Sequence, residues 1–195
     1  MRAGPSTAVD RTRPPAAGDL RTFRFPRFLH TELPGGLAFY AVRHGDVPLV
    51  SLELVTPAGG QFDPPGRHGL ATLTASLLDE GTRGGGALDI AARVERLGGY
   101  LTSGADWDVA YLAAGVLSRN LAAGLELLAE VATSPTFPPE ELERLRRQRL
   151  TEILRRRHDP SILADERLTA EIFRGTVYGR SLLGDEESVG AIARD

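Results

Sequence analysis

The chain has 195 residues and a mass of 21.0 kDa, with 42% hydrophobic, 25% charged and 6% aromatic residues; this suits one domain, or one domain plus a tail, with enough apolar residues for a packed core. Its 23 basic residues nearly cancel 26 acidic ones, leaving −3, so no global field draws it to nucleic acid or a membrane surface. Cysteine and lysine are both absent, which excludes a disulfide scaffold, thiolate metal ligands, a cysteine nucleophile, lysine Schiff-base chemistry and a phosphate-loop lysine.

Residues 1–21 are rich in Pro, Ala, Arg and Thr without periodicity and are expected to form a flexible N-terminal arm. Early arginines without an apolar core are not a secretory signal, and no run approaches the eighteen apolar residues of a membrane span. A cytoplasmic location is expected, or a periplasmic one if the true start lies further upstream. Residues 22–195 are read as one domain, with structure beginning near Phe23. Strands are predicted over 28–30, 36–42 and 49–55, separated by Pro34-Gly35-Gly36 and His44-Gly45-Asp46 turns. In the third, Leu52 and Leu54 face one way while Ser51, Glu53 and Val55 face the other, as in a sheet covered on one side. A tight exposed loop follows over 57–66.

Helices are predicted over 67–79, stopped by Gly81, and over 87–97, stopped by Gly98-Gly99. Two strands, 100–103 and 109–116, flank an Ala105-Asp106-Trp107 turn. Ser118 is expected to cap a helix to about Thr133, and the Ser134-Pro135-Thr136-Phe137-Pro138-Pro139 run to start an arginine-rich helix to about Arg157. Asp159-Pro160 opens another to about Arg174, and Asp185 begins a short last one. Strand blocks alternating with helix pairs predict an α+β fold with a largely antiparallel sheet and helices packed mainly on one face.

The segment most suggestive of chemistry is the first helix. At 100° per residue Leu70, Leu73 and Leu77 share one stripe, and His68, Thr72, Ala75, Ser76 and Asp79 gather opposite it. A leucine back and a small polar front suit a helix lodged between a core and a cavity. Here the chain resembles the insulinase, pitrilysin and mitochondrial processing peptidase family of zinc metallopeptidases. The resemblance rests on LPGGLAFYAVRHGDVPLVSLELVTPAGGQFDPPGRHGLATL, LLDEGT, the LGGYLTSGADWD passage and SPTFPPEELERLRRQRLTEIL. It implies the half-domain fold of a processing-type peptidase. Active members carry an inverted zinc motif, His-x-x-Glu-His, on the corresponding helix, with a further Glu ligand downstream.

In this chain the motif positions read Thr72-Leu73-Thr74-Ala75-Ser76, with Thr72 and Ser76 in place of the histidines and Ala75 in place of the general base. Only the downstream position keeps its carboxylate, as Glu152, 76 residues beyond Ser76. Hydroxyls are poor zinc ligands and alanine cannot take a proton, so family-type hydrolysis is expected to be absent and no metal or other cofactor is expected on this chain. A sparse relocated site from His68, Asp79 and Glu152 is the alternative. The plainer reading is that His68 orients the start of the helix and Asp79 is solvated near its end. Ser76 lacks a nucleophile elbow and a nearby base. Glu152, without a cation, is expected to pair with Arg149 at i−3, Arg156 at i+4, or both.

Other features have mainly structural readings. The arginines of the long helix are interleaved with Glu140, Glu141, Glu143 and Glu152 and with an apolar stripe of Leu142, Leu145 and Ile153, so no nucleic-acid partner is expected. Gly84-Gly85-Gly86 reads as a flexible connector, Trp107 as a packing anchor, and Leu121, Leu125, Leu128 and Val131 as a core stripe.

The resemblance implies paired homologous halves around a chamber, often with zinc in only one. The leading expectation is a non-catalytic subunit that partners a homologous zinc-binding peptidase subunit and helps bind unfolded peptide. The alternatives are a purely structural core-type subunit and a peptidase with a relocated metal site. Family subunits are about twice this length, and their first half continues into a final strand. The chain is therefore expected to be a fragment, or to rely on a partner to complete its sheet.

Overall fold

The computed structural model describes Thr12, Gly18, Thr22 and residues 24–194, so nearly all of the arm expected over 1–21 lies outside the described residues. Two units are compact in their own right, Met1–Asp46 and Val47–Asp195. The first holds an antiparallel hairpin of β1 (Phe28–Glu32) and β2 (Ala38–Val42). Its turn is closed by the Leu33 amide donating to the Leu37 carbonyl at 2.8 Å. On one face His30 stacks on the opposed Tyr40, with ring centroids 4.4 Å apart.

In the second unit the alternation of residues 49–55 becomes the inner face of a three-stranded antiparallel sheet. Strands β3 (Leu49–Thr56), β6 (Tyr100–Ala105) and β7 (Ala110–Leu117) pair in the order β3-β7-β6. Register sets Val50, Leu52 and Leu54 opposite Val116, Ala114 and Leu112, and Leu101 opposite Ala114. Those three β7 side chains are buried, while Ser51, Glu53 and Val55 face outward.

Between β3 and β6 lie a short 3-10 helix (Gly60–Phe62), α1 (Leu70–Leu77), two two-residue strands β4 (Gly81–Thr82) and β5 (Gly85–Gly86), and α2 (Ala87–Leu97). Of the 84–86 run, Gly85 and Gly86 thus pair antiparallel with Gly81 and Thr82 in a tight hairpin, and Gly84 lies in its turn. Thr82 is buried and hydrogen-bonded to Glu130, which also pairs with Arg93 at 2.8 Å. After β7, a 3-10 turn (Ser118–Asn120) precedes α3 (Leu121–Thr133), so Ser118 begins a turn without capping the helix by its side chain. Then come α4 (Pro139–Arg157), α5 (Pro160–Ile172), a 3-10 turn (Val177–Gly179) and α6 (Glu186–Gly190).

The core forms two clusters. Ile90, Leu112, Leu127 and Val131 join α2, α3 and the sheet, and Leu73, Leu77, Leu142 and Ile192 join α1, α4 and the segment after α6. Of the expected α3 stripe, Val131 is buried and Leu128 packs against the core, but Leu125 is 46% exposed and Leu127, 3% exposed, takes its place. Gly124 lets α3 approach the sheet closely there, since an added Cβ would stand 3.0 Å from both methyl carbons of Val116 in β7.

Candidate functional site: a rebuilt motif between two helices

Helix α1 starts later than expected because Gly69 takes a left-handed conformation, φ 92°. A side chain there would strike the Leu183 carbonyl, and one at Gly184 would strike that of His68, so these two glycines let two backbone segments touch. The Asp63 carboxylate caps the helix, accepting from the Gly69 and Ala71 amides at 2.8 Å each. Leu73 and Leu77 then pack against α4, which brings the degenerate motif of α1 beside Glu152.

The motif positions are already engaged within the protein. The Thr72 hydroxyl is buried, donates to the Gly69 carbonyl at 3.0 Å and accepts from Arg149 Nη1 at 2.7 Å. Ser76 Oγ donates back to the Thr72 carbonyl at 2.9 Å. Ala75 is buried on another side of the helix, where it lines an apolar cavity of about 380 Å³ with Leu54, Leu70, Leu78 and Leu112. Thr72, Ala75 and Ser76 therefore do not present one shared polar front.

Glu152 and Ser76 line a cleft of about 470 Å³ between α1 and α4. The expected ion pairs of Glu152 need correction. Its oxygens take Arg155 Nε and Nη2, both at 3.0 Å. Arg149 turns instead to Thr72, and Arg156 to Glu166 of α5 at 2.8 Å. Intrahelical spacing permitted all three arginines, and tertiary partners claimed two of them. The Arg155 hydrogen bonds hold the Glu152 carboxyl below the ordinary range, with Arg155, Arg156 and Arg149 charges adding to the effect.

His68 and Asp79 are not brought to Glu152. His68 precedes the helix, with Nε2 facing Arg180 Nη1 at 3.5 Å and Nδ1 buried without a hydrogen-bond partner among the described residues. Asp79 lies in a separate cleft with Ile90, Val94 and Tyr100, half-buried rather than solvated, and burial raises its carboxyl above the ordinary range. Among the described residues no three of His, Asp and Glu are grouped to hold a metal ion.

The residues present do not fit the zinc ion that the family resemblance implies. Both hydroxyl protons are committed to carbonyls, the surviving carboxylate is held in a fork by Arg155, and a guanidinium stands on Thr72 itself. A fixed cation at a ligand position opposes a divalent one. No hydrolytic step through a metal follows from this donor set. Arg149, which the spacing argument placed on Glu152, is the residue that defines the site. Its charge, one helical turn before a carboxylate with its own arginine, was the available signal. The Asp63 cap carried none, since it acts across a non-helical loop.

The neighbouring elements hold the site in place. Asp108 at the tip of the β6–β7 hairpin accepts from Gln61 at 2.9 Å and Tyr178 at 2.8 Å, and Trp107 meets Tyr178 edge-on at 5.8 Å, an anchoring role. Arginines of α4 serve internal partners: Arg144 pairs with Glu80 and Glu141, Arg157 with Glu186, and Arg146 reaches the carbonyls of Val189 and Ile192. Among the described residues no helix is long and apolar enough to cross a membrane.

A fold of this layout, with a metallopeptidase frame over altered ligands, defines a class of peptidase homologues. The family model described as insulinase, peptidase family M16, matches residues 41–186, and the chain belongs to that family. A solved structure described as a peptidase M16 inactive domain from Pseudomonas fluorescens superposes with a TM-score of 0.82 at 29% identity, covering 86% of this chain and 41% of that one. The relative named non-peptidase homolog YmxG of Helicobacter pylori is 28% identical over 76% of this chain and 34% of its own length. The beta subunit of the mitochondrial-processing peptidase of Rattus norvegicus is 24% identical over 95% of this chain and 38% of its own. The chain spans about two fifths of the length of the curated relatives it matches.

Proposed function

We propose that this chain is a non-catalytic M16 homologue that partners a homologous zinc-binding subunit and helps form a chamber for unfolded peptide. The observation that carries the reading is the engagement of the motif positions by arginine: Arg149 on Thr72 and Arg155 on Glu152. A frame kept intact while its ligand positions are tied up internally favours retention for assembly rather than for chemistry. The descriptions of the Pseudomonas domain as inactive and of the Helicobacter relative as a non-peptidase support the same direction, and the subunit character of the rat relative supports pairing. The zinc of such an assembly resides in the partner, and no nucleic acid or membrane takes part.

The test is co-purification with a homologue bearing an intact His-x-x-Glu-His motif, followed by cleavage of an unstructured peptide. Complex formation with cleavage by the mixture well above that of the partner alone is expected. Stable association without a gain in cleavage would favour a purely structural subunit.

A further inference from the structure

The cleft between α1 and α4 carries a charge that the frame does not use up. Arg149 is half-buried and, among the described residues, forms no ion pair. One of the five N–H donors of its guanidinium goes to Thr72 at 2.7 Å. Desolvation lowers its proton affinity, opposed by the Glu152 charge. The two charges next to it cancel, since Glu152 is held in a fork by Arg155. The lining therefore carries one net positive charge, and Leu73 and Leu145 supply apolar wall beside it. A partly desolvated guanidinium without a counter-ion favours a carboxylate, whose two oxygens match its planar fork.

We propose that this cleft is a carboxylate-binding site in which Arg149 takes a carboxylate of a peptide and Leu73 and Leu145 take the apolar side chain beside it. The peptide character of the ligand rests on the chamber reading above; the carboxylate preference rests on the cleft alone. The carboxylate comes from a chain terminus or an acidic side chain, and these differ in how much backbone follows it.

The test is calorimetric titration of the full chain with three probes: acetyl-Ala-Leu-Leu with a free C-terminus, its C-terminal amide, and amidated acetyl-Ala-Asp-Leu. At least one carboxylate probe is expected to bind roughly tenfold or more tightly than the neutral amide. The free acid alone would identify a terminal carboxylate, and the aspartyl amide alone an acidic side chain. Arg149→Met is expected to erase the preference. Glu152→Gln/Arg155→Gln removes the neighbouring ion pair and leaves Arg149 as the one charge of the lining, so it is expected to keep the carboxylate preference, which a merely structural arginine would not support. Should Arg149→Met fail to fold, the Glu152→Gln/Arg155→Gln comparison stands by itself. Equal binding of all three probes, no binding of either carboxylate, or loss of the preference in Glu152→Gln/Arg155→Gln would overturn the proposal. Carboxylate binding without any gain in cleavage by the mixture would leave the site standing and remove the chamber; a gain in cleavage without the preference would do the reverse.

Discussion

Thr72→Val removes one oxygen and almost no volume, which makes it the cleanest probe of how the two helices are joined. Valine and threonine have similar helix propensity, so the cost arises from hydrogen bonds. The Gly69 carbonyl keeps its bond from the Leu73 amide at 3.0 Å and loses little. Arg149 Nη1 loses an acceptor at 2.7 Å. A hydrogen bond to a charged group contributes about 1.5–3 kcal/mol, and the cleft admits water to the freed donor, so the lower end applies. For a chain of this size a loss of about 1.5 kcal/mol lowers the unfolding midpoint by about 3–6 °C. Trp107 is the single tryptophan, and its fluorescence in urea reports the transition. The decisive quantity is the cycle with Arg149→Met: the double variant should be more stable than the sum of the singles implies, by about 1 kcal/mol or more. A coupling within about 0.3 kcal/mol of zero would refute the Arg149–Thr72 bridge.

Gly184→Ala places a methyl group on the His68 carbonyl at a residue with φ of 76°, and thermal melts should show a loss of about 2 kcal/mol or more. Asp79→Asn tests the raised carboxyl. Folding opposes its ionisation, so wild-type stability falls as pH rises from the ordinary carboxylate value through the raised one; the variant should gain stability at neutral pH and show none of that gain well below the ordinary value. Glu130 has the opposite sign, being held low by Arg93 first and then Thr82. Its contribution is present above the ordinary carboxylate value and lost as pH falls through the lowered one, so Glu130→Gln should lower stability at neutral pH and flatten the acid limb of a urea-midpoint profile.

What was legible in the chain was mostly periodic. Alternation through Leu52 and Leu54 gave the inner sheet face and Gly98 ended α2 in a left-handed cap, while the family resemblance set Ser76 and Glu152 in one site, on two helices that do meet at one cleft. What was not legible depended on partners distant in sequence. Thr72 and Arg149 are 77 positions apart, and Thr82 and Glu130 are 48 apart, so helical spacing assigned Arg149 to Glu152 and read the Gly84 run as a connector. Of the expected α3 stripe, Val131 and Leu128 reach the core while Leu125 does not, its place being taken by Leu127; the close approach of Gly124 to Val116 on that side of the helix carries no hydrophobic signal. The polar front expected on α1 failed because Ala75 belongs to an apolar cavity and Thr72 to a part-buried hydrogen-bond pair.

The most direct measurement is the zinc content of the purified chain after dialysis against zinc in the presence of a weak competing chelator. With Arg149 on Thr72 and Arg155 on Glu152, the expected result is far below one equivalent, unchanged by Glu152→Ala. Retention of one equivalent that disappears in Glu152→Ala would contradict the reading that arginine has replaced the metal in this site.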